Sequence, residues 1–426
     1  MCLSGWSRPR SPWWSDHRSG RYAMGDRKAT SIRPVTPDVA KQQMASEVDA
    51  RAARLLSVSH QIHETPELCF EEHAAHDLLC TVLENEGLEV ERSAYDLDTA
   101  FVAKAGRDGP HIAVICEYDA LPEIGHACGH NVIAAAGLGA GLAAAAMADK
   151  LGGRVSIIGT PAEEGGGGKC YLLERGAFDD VGAAMMVHPA NHELTLMNAI
   201  AVEQLEVTYT GQSAHASAAP HKGRNALDGA VLGYMNVAAL RQHIRPDERI
   251  HGIFTRAGDK PNIVPHEAAA EWYVRSPKLD SLAELRKRVV ACLEAGATAA
   301  GVDIECQCKA PIYADMINSQ TMLELYALNA AAAGRVVSEP QSSHSVVGST
   351  DMGNVSYAVP SIHPMIKVAP DDVAIHTPEF AHFAKSPSGD QAVLDGAKIM
   401  AMTVADLWLY PDVLDRAAEE LAHARA

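Results

Sequence analysis

Three short apolar runs, residues 111–116, 154–159 and 183–187, constrain the fold of this chain more than any other feature. A strand that is apolar on both faces must be covered on both faces, which is typical of a parallel or mixed sheet between layers of helices. A stretch rich in Ala, Gly and Leu, residues 132–150, separates the first two runs and has the length of a buried helix. The pattern predicts an α/β fold with a mixed central sheet flanked by helices.

The pattern of apolar and polar residues changes near residue 198, and the earlier pattern returns near residue 309. Apolar and polar residues alternate over 201–209, and a helical pattern follows at 226–240. This is typical of a smaller α+β unit. At 426 residues the chain is also too long for one ordinary core. We predict an inserted domain at 198–309, between two parts of one larger domain, residues 38–197 and 310–426.

Residues 1–37 form a tail whose composition differs from the rest. Residues 1–35 contain seven Lys and Arg against Asp16 and Asp26, although the whole chain has a formal charge of −18. The tail lacks the apolar run of a secretory signal peptide, and we predict that it is disordered. Two alternatives stay open. The tail could be a transit peptide, or the start could be assigned too far upstream, with Met24 as the true first residue.

The overall composition argues against several kinds of partner. A chain with a charge of −18 lacks the basic surface that binds phosphate backbones, so no nucleic-acid partner is expected. No run reaches the roughly 18 uninterrupted apolar residues that span a bilayer, so no membrane partner is expected. The nine cysteines are scattered, which favours a reducing compartment and a cytoplasmic location.

Polar residues follow each of the three apolar runs. Glu117 and Asp119 follow the first run, Glu163 and Glu164 the second, and His188 the third. In open α/β sheets, sites form outside the carboxyl ends of the strands. The sequence therefore predicts that these side chains converge on one crevice.

Cys128 and His130 add two potential metal ligands just before the long helix. Asn131 suits the N-cap of that helix, whose dipole favours a thiolate at Cys128. Thiolate, imidazole and carboxylate together suit zinc, and carboxylate-rich sites also accept manganese or cobalt. Of the adjacent pair Glu163 and Glu164, one carboxylate can ligate while the other takes a proton from water.

Six segments carry a family resemblance: EYDALPEIGHACGHN, TPAEEGGGG, MVHP, GQSAHASAAPHKGRNALDG, PNIVP and GSTDMGN. In this order and spacing they resemble the signature set of the M20 metallopeptidase and amidohydrolase family. The resemblance spans about residues 45–410, and is strongest to the branch with Cys-x-His in place of a bridging Asp. It implies a zinc-peptidase-like catalytic domain and a ferredoxin-like lid and dimerisation domain at 198–309.

The resemblance assigns roles to the polar residues. It makes Glu163 the general base and Asp119 the residue that orients a ligand. Glu117 departs from the His-x-Asp motif of other branches, which implies that His130 takes over that ligand role. The two implied divalent ions, zinc or manganese with cobalt also possible, are held by Cys128, His130, Glu164, His188 and His376.

The resemblance also assigns residues of the lid and of a covering loop. His215 is implied to reach the active site of a partner subunit and stabilise the oxyanion, which requires a homodimer. Asn262 and Arg275 are implied to lie near the substrate carboxylate, and the loop with Gly348 and Ser349 to cover the pocket. His215 as an ordinary exposed loop residue, and Arg275 as an exposed strand residue, stay open.

These roles together predict an enzyme, a metal-dependent amidohydrolase or dipeptidase. Its substrate is expected to be a small molecule: an N-acyl amino acid, a dipeptide or an aminobenzoyl-glutamate-type amide. One alternative is a cysteine hydrolase with Cys128 as nucleophile and His126 or His130 as base. A second is a non-catalytic subunit of a hetero-oligomer that keeps this fold.

Overall fold

The structure, a computed structural model, describes residues 36–340 and 347–425. The tail predicted for residues 1–37 lies outside the described residues, apart from its last two positions. The chain forms helices and strands up to residue 199. In chain order these elements are α1 (Pro37–Ala50), α2 (Ala52–Glu64), α3 (His73–Asn85), β1 (Val90–Arg92), β2 (Phe101–Ala105), β3 (His111–Glu117), α4 (His130–Leu151), β4 (Arg154–Thr160), α5 (Gly168–Glu174), β5 (Ala183–Met185), β6 (His188–Ala190) and β7 (Asn198–Ala199).

The remaining chain first forms a group of six elements and then returns to helices and short strands. The six are β8 (Ala201–Thr210), α6 (Ala226–Leu240), β9 (Arg249–Arg256), β10 (Glu267–Ser276), α7 (Leu279–Ala300) and β11 (Asp303–Cys308). The elements that follow are α8 (Gln320–Ala332), β12 (Val347–Gly348), α9 (Met352–Ala358), β13 (Ser361–Ile362), β14 (Met365–Lys367), α10 (Pro378–Ala384), α11 (Pro387–Leu409) and α12 (Pro411–Ala424).

The central sheet has six strands in the order β1-β2-β4-β3-β5-β13. The pairs β1/β2 and β2/β4 are antiparallel, and the pairs β4/β3, β3/β5 and β5/β13 are parallel. The predicted mixed sheet is therefore confirmed. Because four neighbouring strands run the same way, their carboxyl ends meet at one edge, where sites in such sheets form.

Helix α4 packs between the sheet and α11. Gly137 allows close contact, since a Cβ at this position would lie 2.4 Å from the carbonyl oxygen of Ile115 on β3. By length and composition α4 is the one helix in the described ranges that could cross a membrane. However, 89% of its most apolar 18-residue stretch is buried inside the protein. Its apolar sequence is accounted for by this central position in the core.

The six elements from β8 to β11 form a second sheet with two helices. The order β8-α6-β9-β10-α7-β11 is the β-α-β-β-α-β arrangement of ferredoxin-like units. The sheet is antiparallel, in the order β11-β8-β10-β9, and has its own core around Trp272, Tyr209 and Leu293. These elements lie within 198–309, and the division of the chain into separate domains there stays a prediction.

The apolar pattern near residues 362–369 predicts one strand, but the structure has two short ones. The chain leaves the central sheet after β13 and then forms β14, which pairs with β6 in a separate two-stranded sheet. His188, predicted to follow a strand, is the first residue of β6 and pairs with Met365. This pairing moves His188 away from the central sheet and toward the C-terminal part of the chain.

Two helix predictions also need correction. The helical spacing of apolar residues over 38–63 predicts one helix, but the structure has two, separated at Arg51, whose side chain pairs with Glu47 and Glu86. Helix α12 was not predicted. Its buried residues Val413, Ala417 and Leu421 recur at a spacing of four, a helical signal that the sequence carries.

Candidate metal centre

The polar residues predicted to converge from the strand ends do lie together. Asp119 follows β3, Glu163 and Glu164 follow β4, and His188 begins β6. Cys128 and His130 stand at the start of α4, and His376 lies in the loop between β14 and α10. In the described chain, Cys128, His130 and His188 form one group of potential metal ligands. A second group consists of Cys128, Glu164 and His376. Within each group the ligand atoms lie within 4.8 Å of one another.

Cys128 belongs to both of these groups. Its buried Sγ atom lies 3.4 Å from Nε2 of His188 and 3.4 Å from Nε2 of His376. Burial, followed by the charge of Glu164, raises the pKa of the thiol well above its ordinary value. A cation would have to offset that effect for the thiolate to form. Cys128 would thus be available as a ligand to both groups if they hold ions.

His188 presents an unprotonated nitrogen to the cluster. Its Nδ1–H donates to the carbonyl oxygen of Pro189 at 2.7 Å, which leaves Nε2 facing Cys128. Burial, followed by the charge of His130, lowers the pKa of His188 to about 4. The ring is therefore neutral at physiological pH, the form in which imidazole binds metals.

His130 is oriented in the same way by Asp119. Its Nδ1–H donates to Oδ1 of Asp119 at 2.9 Å, and the backbone N–H of Glu164 donates to the other oxygen at 2.9 Å. Burial acts to raise the pKa of Asp119, but the charge and hydrogen bond of His130 lower it to about 2. An ionised carboxylate behind a histidine is the usual support of a ligating imidazole.

The two adjacent glutamates have different surroundings. Oε1 of Glu164 lies 3.4 Å from Nε2 of His376, whereas Oε2 of Glu163 lies 4.0 Å from Nε2 of His130. Burial, then the charges of Glu117 and Glu164, raise the pKa of Glu163 well above its ordinary value. For Glu164, burial acts in the same direction, but the hydrogen bond with His376 produces a net lowering of the pKa. The pKa shifts of the two carboxyl groups thus have opposite directions.

The residues present fit divalent ions. Nε2 of His130 is buried, has no hydrogen-bond partner, and points toward carboxylate oxygens of Glu117, Glu163 and Glu164 at 3.7–4.0 Å. A bound cation would satisfy this nitrogen and offset the repulsion among the carboxylates. The donor set of sulfur, nitrogen and oxygen suits zinc, and its carboxylates also suit manganese.

Lys169 is a residue of the site region that the sequence analysis missed. Its buried Nζ lies 2.6 Å from Oε1 of Glu117 and 2.7 Å from Oδ1 of Asp351, and its backbone N–H donates to the second oxygen of Asp351. This pairing gives the buried carboxylate of Glu117 a cationic partner. The available signal was a lysine directly after the run of four glycines at 165–168.

The structure does not bring His215 to this cluster within one chain. His215 is exposed, and no hydrogen bond or ion pair joins it to the ligand groups in the described ranges. The N–H of Ala218 donates to its Nδ1, so in the neutral ring Nε2 carries the proton and is free to donate. Asn262 is also exposed, and its backbone carbonyl oxygen accepts a hydrogen bond from the backbone N–H of Ala216, next to His215.

Arg275 and Ser349, both predicted near the substrate, are in contact. Nη1 of the half-buried Arg275 donates to Oγ of Ser349 at 3.1 Å, and that hydroxyl donates to the carbonyl oxygen of Ile200. Gly348 pairs with Ala199, and a Cβ there would come within 2.5 Å of the Met197 methyl group. The glycine thus makes room for a residue of the same chain.

The prediction that Asn131 caps α4 is wrong. The N-cap is Gly129, which has a φ of 81°, and no side chain caps the helix. Asn131 lies inside the first turn, and its amide donates to Oγ of Ser59 and to the carbonyl oxygen of Ala384. It joins α4 to the surrounding helices.

Known proteins share this sequence pattern over most of the chain. The sequence profile of peptidase family M20/M25/M40 matches residues 95–406. The Xaa-Arg dipeptidase of Mus musculus is 37% identical over 398 residues, which cover 90% of this chain and 92% of that protein. One of the subunits of the p-aminobenzoyl-glutamate hydrolase of Escherichia coli strain K12 is 32% identical over 281 residues, which cover 61% of this chain and 58% of that protein.

The fold also matches a solved structure. A Bacillus subtilis protein described as a dinuclear metal binding peptidase from the M20 family superposes with a TM-score of 0.64 at 22% sequence identity. The match covers 84% of this chain and 99% of that one. At this identity the likeness concerns the fold, and it confirms the predicted α/β architecture.

Proposed function

Because this chain belongs to peptidase family M20/M25/M40 and is a hydrolase, we propose that it cleaves the amide bond of small dipeptides in a metal-dependent reaction. The observation that carries the proposal is the pair of ligand groups that share Cys128, with Glu163 beside them. Cys128, His130 and His188 would hold one ion, and Cys128, Glu164 and His376 the other. Divalent ions at such sites supply Lewis-acid activation of water and of a carbonyl group.

Glu163 is the proposed general base. Its carboxylate accepts a proton from the attacking water and later passes it to the nitrogen of the leaving amine. The buried position among Glu117 and Glu164, which raises the pKa of Glu163, supports this role because it lets the side chain hold a proton between the two steps. Asp119 keeps Nε2 of His130 directed at the centre.

A dipeptide with a basic C-terminal residue is the substrate class supported best. A relative that matches nearly the whole chain is named an Xaa-Arg dipeptidase. A p-aminobenzoyl-glutamate-type amide is the second candidate, supported by the similarity to part of a hydrolase of that name. Both substrates carry a free α-carboxylate, which Arg275 would bind once the lid closes.

A substrate panel with metal analysis tests this proposal. The purified chain is loaded with zinc or manganese and assayed against Xaa-Arg and Xaa-Lys dipeptides, p-aminobenzoyl-glutamate and N-acetyl amino acids. We expect dipeptide hydrolysis that phenanthroline abolishes and added metal restores. Activity that survives complete chelation but is lost with iodoacetamide would support the cysteine hydrolase instead. No hydrolysis by metal-loaded protein would point to a non-catalytic or incomplete subunit.

A homodimer through the second sheet forms part of the proposal. Strand β9 is an open edge of that sheet, and its Ile253 is 66% exposed next to the 39% exposed Phe254. On α6, Met235 is 59% exposed, with Val231 and Leu232 also exposed. An open strand edge beside an apolar helix face is a surface that a second copy can cover by strand pairing. Met235→Glu and Ile253→Lys are expected to give monomers in light scattering.

His215 is proposed to act in the active site of the partner subunit. Its free Nε2–H is a suitable donor to the oxyanion that forms as the amide carbonyl is attacked. Co-expression of Glu163→Gln and His215→Ala chains tests this arrangement, because a mixed dimer would contain one site with neither substitution. About a quarter of wild-type activity should return on random mixing of two inactive chains. Mixed dimers without activity would contradict action in the partner's site.

A cytoplasmic location completes the proposal. None of the eight cysteines among the described residues forms a disulfide, which supports a reducing compartment. Imaging of a C-terminally tagged chain, which leaves the basic tail accessible, would test this against import into an organelle.

A further inference from the structure

Glu72 is a buried carboxylate to which the roles above give no function. It directly precedes α3, is 0% exposed, and does not cap its own helix. Its Oε1 accepts from the backbone N–H of Phe70 at 2.9 Å and from that of Ala162 at 2.8 Å. Its Oε2 accepts from the hydroxyl of Thr99 at 2.8 Å. In the described chain, no Lys or Arg pairs with it.

Two of these three donors are residues with an unusual backbone. Phe70 has a φ of 62° and Ala162 a φ of 59°, which place both in the left-handed region. Residues other than glycine pay conformational energy in that region and stay there only when their surroundings impose it. A single carboxylate oxygen thus binds the amides of two residues whose backbones need external support.

Ala162 directly precedes Glu163, and the turn that follows is held at several backbone atoms. The carbonyl oxygen of Ala162 accepts from the N–H groups of Gly166 and Gly167 at 3.1 and 2.7 Å. The hydroxyl of Tyr313 donates to the carbonyl oxygen of Glu163 at 2.7 Å. Glu72 supplies the hydrogen bond at the entrance of the turn, where the strained residue lies. The backbone dihedral angles of Ala162 therefore set the direction in which the Glu163 side chain leaves the chain.

We propose that Glu72 is a positioning residue for the general base, which holds Ala162 in its left-handed conformation and thereby directs Glu163 at the metal centre. The inference rests on the proposed function, because it takes Glu163 as the base. It predicts an effect on the chemical step rather than on substrate or metal binding. Small displacements of a reacting group lower rates strongly, since catalysis depends on near-attack geometry.

Kinetics of metal-loaded Glu72 variants test the proposal. Glu72→Ala is expected to lower kcat by about 10- to 100-fold, with little change in KM and with full metal content. Glu72→Gln is expected to recover most of that loss, because its amide oxygen still accepts from Ala162. Burial, and then the charge of Asp119, raise the pKa of Glu72 to about 7, so an uncharged substitute is well tolerated. Thr99→Val is the matched control, since it removes only the bond to the other oxygen.

The decisive comparison places glycine at the strained position. Glycine adopts a left-handed φ without steric cost, so Glu72→Ala/Ala162→Gly should regain much of the kcat that Glu72→Ala loses, measured against Ala162→Gly alone. A merely structural role of Glu72 at Phe70 or Thr99 would give no such recovery. The proposal would be overturned if Glu72→Ala kept the wild-type kcat. It would also be overturned if Ala162→Gly did not reduce the loss of kcat, or if Thr99→Val lost as much kcat as Glu72→Ala.

Two further results keep the outcome clear. If Glu72→Ala does not fold, Glu72→Asp retains the charge but withdraws the carboxylate from Ala162 by one methylene, and it is expected to lose kcat in the same way. Full kcat in Glu72→Asp would then overturn the proposal. An active Glu163→Gln variant, in contrast, would remove the base itself and with it the proposed function, whatever the Glu72 variants show.

Discussion

Asp119 accepts a hydrogen bond from Nδ1 of His130 at 2.9 Å, and both side chains are fully buried. The contact sets which nitrogen of His130 faces the centre. We expect Asp119→Asn to weaken metal binding about 10- to 100-fold, because the amide holds the imidazole less firmly and supplies no negative charge. Competition with a chromophoric chelator measures this. Cys69→Ala, which removes only a 3.5 Å contact to Asp119, is the control and should bind metal normally.

Glu163→Gln should separate chemistry from metal binding. We expect kcat to fall by about 10²- to 10⁴-fold, since the amide cannot accept a proton, while two ions stay bound per chain. Glu164→Gln is the matched variant and should lose metal, because Glu164 belongs to a ligand group with Cys128 and His376. His130, Glu163 and Glu164 form a third possible group, so metal loss in Glu163→Gln would make Glu163 a ligand.

Arg275→Met should weaken the binding of substrates with a free C-terminal carboxylate. A charge-assisted hydrogen bond is worth roughly 1.5–3 kcal/mol, so KM is expected to rise about 10- to 100-fold with a smaller change in kcat. The corresponding dipeptide amides provide the control, because they lack the carboxylate. Equal effects on acids and amides would show that Arg275 acts only through its contact with Ser349.

Lys169→Met should destabilise the fold. It would leave Glu117 and Asp351 buried without their cation, which typically costs about 3–5 kcal/mol in the free energy of unfolding. Urea denaturation measures the change, with an exposed pair as control: Lys287→Met, opposite Glu284, should cost under about 0.5 kcal/mol. Adding Asp351→Asn should recover part of the lost stability. Independent, additive losses would argue against a coupled buried pair.

The general position of the site was predictable because the carboxyl ends of parallel strands meet at one edge. That rule alone brings Asp119 and Glu163 together, although they follow different strands. The central strands were recognisable from their apolar runs. The second sheet was recognisable from its alternation of apolar and polar residues. These signals are local in sequence, and a periodic pattern is enough to reveal them.

The supporting contacts were not predictable, because they join distant residues through side-chain geometry. Glu72 binds Ala162 across 90 positions, and Lys169 binds Asp351 across 182. The cap at Asn131 failed for the same reason, since tertiary bonds to Ser59 and Ala384 compete with the local one. An alanine in the sequence does not indicate a left-handed φ, so the conformation of Ala162 could not be predicted. It is explained by the hydrogen bond to the Glu72 carboxylate.

The distance along the chain between Cys128 and His376, 248 positions, bears on how the enzyme is made. His188 also depends on late residues, because its strand β6 pairs with β14 at Met365–Lys367. The second candidate ligand group is therefore incomplete in a nascent chain until His376 has been translated. A stop codon before position 376 would yield a product without that member of the group.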